Sequence, residues 1–225
     1  MRVVETFVSV QGEGILAGVP SFFVRTAGCN LRCAWCDTPY ASWAPEGVRR
    51  TVGELVKAAE DSGVRHVVLT GGEPLLQREL GALCGALRGA GFHLTVETAG
   101  TLAPEFQCDL LSVSPKTSNS DPAGRWGERH RRLRGNLDPL RSLLARYPEH
   151  QLKLVVRGGE DLPEILELLE VLPMARRDRV LLMPEARTAG ELADRGPEVA
   201  ALAVKHGFRF GPRLQLALFG GRRGA

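Results

Sequence analysis

No uninterrupted apolar run approaches the ~18 residues that a helix needs to cross a bilayer. Residues 1–14 also lack the apolar centre and small-residue cleavage site of a secretory signal. Charge of one sign is not in excess either: 29 basic residues stand against 26 acidic ones, leaving +3. That balance is too mild to argue for a nucleic acid or a membrane surface as partner. Lysine is scarce: only Lys57, Lys116, Lys153 and Lys205 count among the 29 basic residues, and the others are arginine. Cysteine is sparse, and its count of five is odd, which does not favour a disulfide framework. Internal repeats, low-complexity tracts and clear linkers are missing as well. These absences point to a cytoplasmic chain with no membrane or nucleic-acid partner. What is there is ordinary: 225 residues, 44% hydrophobic and 24% charged. That is enough apolar mass for a real core, and for one domain over residues 1–225 with a short C-terminal extension.

Short β-branched runs alternate with longer amphipathic ones. Residues 3–10, 22–25, 66–69, 92–96, 110–113, 152–156 and 180–183 read as strands, and 214–219 as a last strand-like run before a flexible GGRRGA tail. Helices are expected over 51–61, where Thr51 and Glu54 have the spacing of a capping box, and over 75–88 and 137–147. Two more are expected over 162–172, with Pro163 in the first turn, and over 189–206, where Gly196-Pro197 can break or restart the helix. Residues 115–135 are the least regular. Their basic run RWGERHRRLR (125–134) reads as a solvated loop, or as a seat for an anionic substrate or an electron-donor protein. Strands alternating with helices imply βαβ units and an α/β fold with mainly parallel strands. Periodicity leaves open whether the sheet is doubly wound or an open, partial barrel. In both, ligands gather at the C-terminal ends of the strands.

Three of the cysteines, Cys29, Cys33 and Cys36, crowd the segment RTAGCNLRCAWCDT (25–38), directly after a strand. In a reducing compartment, clustered thiols are ligands or catalysts, and thiolates suit zinc or iron–sulfur clusters. Zinc closes its shell with four donors, and no nearby His offers a fourth. A cubane commonly takes four Cys, so three would leave one iron open to a substrate or cosubstrate. A zinc knuckle, three merely buried cysteines and an open iron–sulfur site are the alternatives. The stretch LTGGEP (69–74) closes a second strand. Its glycines let the backbone approach a ligand closely, and its carboxylate can hold an ammonium. Cys84 and Cys108 stand apart and read as packed side chains, as do His66 and His93.

The spacing C-x3-C-x2-C, with an aromatic before the last cysteine, resembles the signature of radical S-adenosylmethionine enzymes. The TGGEP stretch, one βα unit later, resembles that superfamily's motif for the methionyl amino group. Further stretches narrow the resemblance: SVQGEG (9–14), PSFFVR (20–25), CDT (36–38), VETAGT (96–101) and VSPK (113–116). In this order they resemble the 7-carboxy-7-deazaguanine synthase family, nearly end to end and most densely over residues 5–116. The resemblance implies a partial (β/α) barrel of the radical S-adenosylmethionine type. It implies conversion of 6-carboxy-5,6,7,8-tetrahydropterin to 7-carboxy-7-deazaguanine with release of ammonia, serving queuosine and other deazapurines. It also implies a 4Fe–4S cluster, S-adenosylmethionine that is regenerated through a 5′-deoxyadenosyl radical, magnesium (Mg2+), a flavodoxin- or ferredoxin-like electron donor, and a homodimer.

The same resemblance implies residue roles. Cys29, Cys33 and Cys36 would hold the cluster. Trp35, Cys36 and Asp37 would line the S-adenosylmethionine site, with Gly72 and with Ser114, Pro115 and Lys116. Val10, Gln11 and Gly12 would face the pterin, with Arg25 and Thr70. Thr38 would give an oxygen to magnesium, bridging to the substrate carboxylate. Ordinary chemistry is compatible: magnesium favours oxygen ligands and keeps several waters, and an arginine fork binds a carboxylate at two points. Each residue also has a plainer interpretation. QGEG can be a turn, Arg25 an ion-pair partner, Thr38 a helix cap and Lys116 a solvated side chain. Glu97 either approaches the cofactor or satisfies backbone donors. One stretch departs from the family: LLMPE (181–185) stands where several relatives read Gln-Pro-Met-Asp, and Leu182 replaces the Gln. The competing functions are another small radical enzyme, such as an activator of glycyl-radical enzymes, and a zinc-stabilised binding module. QGEG and CDT favour the deazaguanine synthase over the first.

Overall fold

In a computed structural model, which describes residues 1–224, the chain runs β1 (Arg2–Val10), β2 (Pro20–Thr26), α1 (Pro39–Ser42), β3 (Val48–Arg49), α2 (Val52–Asp61) and β4 (His66–Gly71). It continues through α3 (Leu80–Gly89), β5 (His93–Thr98), β6 (Leu110–Val113), α4 (Gly127–Gly135), α5 (Asp138–Arg146) and β7 (His150–Val156). It closes with α6 (Leu162–Glu170), β8 (Val180–Pro184), α7 (Ala189–His206), β9 (Arg209–Phe210) and α8 (Leu214–Phe219). All the strands join one sheet in the order β3-β1-β2-β4-β5-β6-β7-β8-β9. Only β1 runs antiparallel to its neighbours, and every pairing from β2 to β9 is parallel.

This order decides between the two architectures left open by periodicity. A doubly wound sheet reverses its strand order at a switch point. Here β2, β4, β5, β6, β7 and β8 step always in one direction, and β3 and β9 remain as free edges. The sheet is therefore singly wound and open, a partial barrel. No described helix is long and apolar enough to cross a membrane.

Alternation along the central strands divides the sheet's two faces. Leu69, Val96, Leu111, Leu154 and Leu182 are all 0% exposed and belong to the hydrophobic core, each contributing roughly 1.5–3 kcal/mol by burial. Their strand neighbours Thr70, Glu97, Ser112, Lys153 and Met183 line a cavity on the opposite face. Because the side-chain period of a strand is two, one face packs under the helices and the other is free to carry polar chemistry.

Most elements lie within a residue or two of the expected bounds. Thr51 and Glu54 do form the reciprocal cap of α2, and α7 carries Pro197 without a break. Three expectations fail. Residues 214–219 are the helix α8, not a strand: six residues, apolar but for Gln215, have no decisive period, and Gly220, at φ 63°, caps its C-terminus in the left-handed conformation. The helix expected over 75–88 is interrupted: a single 3-10 turn at Pro74–Leu76 ends in an extended Gln77. That side chain is pinned to the Ala27 carbonyl and the Arg2 amide, and α3 starts only afterwards. The basic run 125–134 is no loop. It forms a 3-10 turn at Gly124–Trp126 and then α4, of which Gly127 and His130 are buried.

Candidate active site

The cysteine loop leaves the C-terminal end of β2 and is fastened from several sides. The Glu73 amide donates to the Gly28 carbonyl at 2.8 Å and the Gly28 amide to Ala41 at 2.7 Å. The Ala34 amide bonds Ser120 at 2.9 Å, the Arg32 amide donates to His130 Nδ1 at 3.0 Å, and Trp35 Nε1 to Asn119 Oδ1 at 3.1 Å. His130, 1% exposed, is in turn held by Ser120 Oγ at 3.0 Å. So α4, which the charge pattern hid, is the brace of the loop. Gly72 serves the same contact: a Cβ there would overlap the Gly28 carbonyl oxygen and lie 2.6 Å from its carbon.

Glu73 corrects the expectation that its carboxylate faces a ligand. It is 0% exposed and accepts hydrogen bonds from the Leu75 amide, Thr98 Oγ1 and the Ala99 amide at 3.1, 2.8 and 2.9 Å. Its carboxylate ties the end of β4 to the end of β5. Burial is the main cause that pushes its pKa up.

Cys29, Cys33 and Cys36 are free thiols and border one cavity of about 470 Å³, within the ~300–1,000 Å³ range of small-molecule sites. Trp35, Asp37, Thr38, Gly72, Ser114 and Lys116 border it too, as do Val10, Gln11, Gly12, Arg25 and Thr70. Pro115 does not: it lies on a separate cavity of about 280 Å³, and Lys116 stands between the two. Thr38 occupies the N-cap position of α1, yet its side chain makes no capping hydrogen bond. Lys116 is half-buried: its ammonium donates to Ser114 Oγ at 2.6 Å and lies 5.1 Å from the centre of the Trp35 ring. Arg25 does have an ion-pair partner, Glu5, at 2.7 Å.

Under the Gln11-Gly12 end of the cavity runs a chain of alternating charges. Glu97 and Glu13 each lie 2.9 Å from the Lys153 ammonium. Glu13 lies 3.2 Å from Arg213, whose other arm reaches Asp37 at 2.6 Å and which also bonds the Ala186 carbonyl. Glu97 accepts from Thr70 Oγ1 at 2.9 Å and from Gln11 Nε2 at 3.3 Å, while Gln215 Nε2 donates to Glu13 at 2.7 Å. Burial alone would raise the Glu13 pKa, but the Lys153 and Arg213 charges outweigh it and hold the carboxyl well below the usual range. Burial would likewise lower Lys153, and Glu13 and Glu97 reverse that and keep it charged.

With this geometry in view, the comparisons with known proteins are direct. A family model described as Radical SAM superfamily matches residues 23–172. A 7-carboxy-7-deazaguanine synthase of Rhodopirellula baltica is 45% identical over 228 residues, covering 100% of this chain and 88% of the relative. One of Pyrobaculum aerophilum is 39% identical over 231 residues, covering 100% of this chain and 97% of the relative. The chain belongs to the 7-carboxy-7-deazaguanine synthase family, within the radical S-adenosylmethionine superfamily. In three dimensions it is similar to the crystal structure of QueE from Escherichia coli, with a TM-score of 0.70 and 26% identity over 93% of this chain and 92% of that one.

Membership in the superfamily brings a 4Fe–4S cluster and S-adenosylmethionine, and the cysteine loop fits the cluster. Burial pushes the Cys29 and Cys33 thiols up to about 12 and about 11, with Glu73 adding to the rise at Cys29. They become thiolates only beside a compensating positive centre, which iron supplies. Among the described residues no three Cys, His, Asp or Glu side chains converge on one point, as a mononuclear zinc would require. In a cubane each thiolate meets a different iron, so the three need only face a common space. The stretch 181–185 sorts itself the same way. Leu182 is in the core, so the missing Gln leaves no gap in the cavity wall, while Met183 and Glu185 reach it.

Sequence motifs miss Glu13, Lys153, Arg213 and Gln215 as a set. Lys153 carries a signal of its own, a lone lysine inside an apolar strand, LKLVV, in a chain that otherwise prefers arginine. Arg213 carries none.

Proposed function

We propose that the protein is a 7-carboxy-7-deazaguanine synthase, taking 6-carboxy-5,6,7,8-tetrahydropterin to 7-carboxy-7-deazaguanine and ammonia. One observation carries this: a single cavity joins the three-cysteine loop to a wall of hydrogen-bonding groups and a guanidinium, Arg25. A carboxylated pterin presents the complement, ring donors and acceptors at one end and an anion at the other. When bound, the cluster and S-adenosylmethionine supply the one-electron chemistry that starts the reaction. The chain's own residues bind, orient and shield.

The Thr70 hydroxyl spends its proton on Glu97, so it meets a ligand as an acceptor. The Gln11 side chain is committed at both ends, to Glu97 and to the Glu13 amide, so what residues 10–12 offer a pterin is main chain. Arg25 takes the substrate carboxylate. Trp35, Asp37, Gly72, Ser114 and Lys116 hold S-adenosylmethionine, with Pro115 positioning its neighbours from behind. The Thr38 hydroxyl, free of any capping bond, would give an oxygen to magnesium, which would supply positive charge beside the substrate carboxylate. The electron donor is a flavodoxin or ferredoxin-like protein, and the enzyme works as a cytoplasmic homodimer.

The test is anaerobic reconstitution of the cluster, followed by S-adenosylmethionine, magnesium, reductant and the pterin, with the deazapurine sought by mass. A reconstituted protein that cleaves S-adenosylmethionine yet leaves the pterin untouched would refute the assignment. Thr38→Ala is expected to raise the magnesium concentration for half-maximal turnover about tenfold, equivalent to ~1.4 kcal/mol. An unchanged magnesium response would place the metal elsewhere.

A further inference from the structure

The segment after α8 carries no motif, yet it returns over the cavity. Gly220 and Gly221, with φ of 63° and 75°, turn the chain, and residues 221–224 border the cavity mouth. Arg223 Nε donates to Glu5 Oε2 at 2.8 Å, and its guanidinium lies 4.4 Å from the centre of the Tyr40 ring. The other Glu5 oxygen accepts from Arg25 Nε at 2.7 Å and from the Tyr40 hydroxyl at 2.9 Å. One carboxylate is therefore shared by two guanidiniums, each attached through Nε alone. Among the described residues, the terminal nitrogens of both forks have no hydrogen-bond partner. Arg25 and Glu5 are mostly covered, with side chains 16% and 14% exposed, whereas Arg223 is 51% exposed at the rim.

The geometry points to Arg223 as the second guanidinium of a carboxylate clamp: Arg25 from the wall and Arg223 from the tail close on the substrate's carboxylate, with Glu5 as the shared anchor. This deepens the proposed function and rests on it for the identity of the anion. Charge and shape agree. Two cations with one internal carboxylate leave a place for a second carboxylate, and the spare fork nitrogens are the donors that would bind it at two points. The Tyr40 ring provides a platform that keeps the Arg223 guanidinium at the mouth before the ligand arrives. The clamp recognises an anionic heterocycle and discriminates against the same ring without its carboxylate.

The test is equilibrium binding to the reconstituted holoenzyme with S-adenosylmethionine but without reductant, so that nothing turns over. The two probes are 6-carboxytetrahydropterin and tetrahydropterin lacking the carboxylate. Arg223→Ala is expected to weaken the carboxylated ligand about tenfold, as for one lost charged hydrogen bond, and to leave the other ligand within about twofold. Arg223→Lys should recover part of the loss, since it restores charge without the fork. Equal losses for both ligands, or none for either, would overturn the clamp while leaving the enzyme assignment intact. A wild-type holoenzyme that binds neither pterin would overturn both.

Discussion

Lys153→Met should destabilise the protein by about 3–5 kcal/mol and remove most of its turnover. The residue is 3% exposed, and its ammonium is the common partner of Glu13 and Glu97 at 2.9 Å each. Methionine keeps much of the volume but takes from Glu97 its cationic partner and leaves Glu13 with Arg213 alone, and removing one member of a buried pair costs on that order. At this chain length the loss would appear as a melting temperature roughly 10 °C lower. Displacing Glu97, to which Thr70 and Gln11 are also tied, by even an ångström at a reacting site costs on the order of a hundredfold in rate. The pH dependence identifies the cause. Glu13 has a depressed folded pKa, so its contribution is present above its unfolded value near ~4.3 and fades as pH falls through the lower folded value. Lys153 has a raised one, so its contribution is complete below ~10.4 and constant across the acid range. In the variant Glu13 loses the Lys153 charge that helps to hold its pKa down and takes up a proton more readily, so the penalty should shrink between pH 7 and pH 4. Denaturant titrations of wild type and variant at both pH values decide it. A penalty equal at the two would show that Lys153 contributes packing and not charge.

What could be inferred before the structure, and what could not, follows from the range of the interactions. The cysteine loop, the TGGEP turn and the central strands are local: residue types at short spacing bring their own chemistry and period. The charged chain is not local. Glu13 meets Lys153 across 140 positions and Arg213 across 200, and no window of sequence contains both ends. A carboxylate beside two glycines suits a ligand and an internal clamp equally, and only the three donors around Glu73 distinguish the cases. The helix α4 was hidden for a related reason. Its buried face is little more than Gly127 and His130, too narrow for an amphipathic stripe to be legible among arginines.

Gly72→Ala is the sharpest test of how the two motifs meet, because it adds a single methyl group and changes no charge. The new Cβ would overlap the Gly28 carbonyl oxygen, lie 2.6 Å from the Gly28 carbon and 3.1 Å from Cys29 Cβ. The obstruction is backbone, so no rotamer change relieves it. Gly28 cannot simply move away either, since its amide is held by Ala41 and its carbonyl by the Glu73 amide. The first part of the loop, with Cys29, must shift. Cys33 and Cys36 stay behind, because Ser120, His130 and Asn119 hold their segment independently. The thiols then no longer face one space at the spacing a cubane needs. Iron and sulfide content after anaerobic reconstitution should drop to a small fraction of wild type, and S-adenosylmethionine cleavage should fall at least about a hundredfold. Gly85→Ala is the matched control. It lies in α3 with nothing within 4 Å of the added carbon, so it should leave iron content unchanged and stabilise the protein by roughly 0.5–1 kcal/mol. Full iron loading in the Gly72→Ala protein would mean that the loop can re-seat Cys29 despite its anchors. The close approach of the two motifs would then be incidental to cluster assembly.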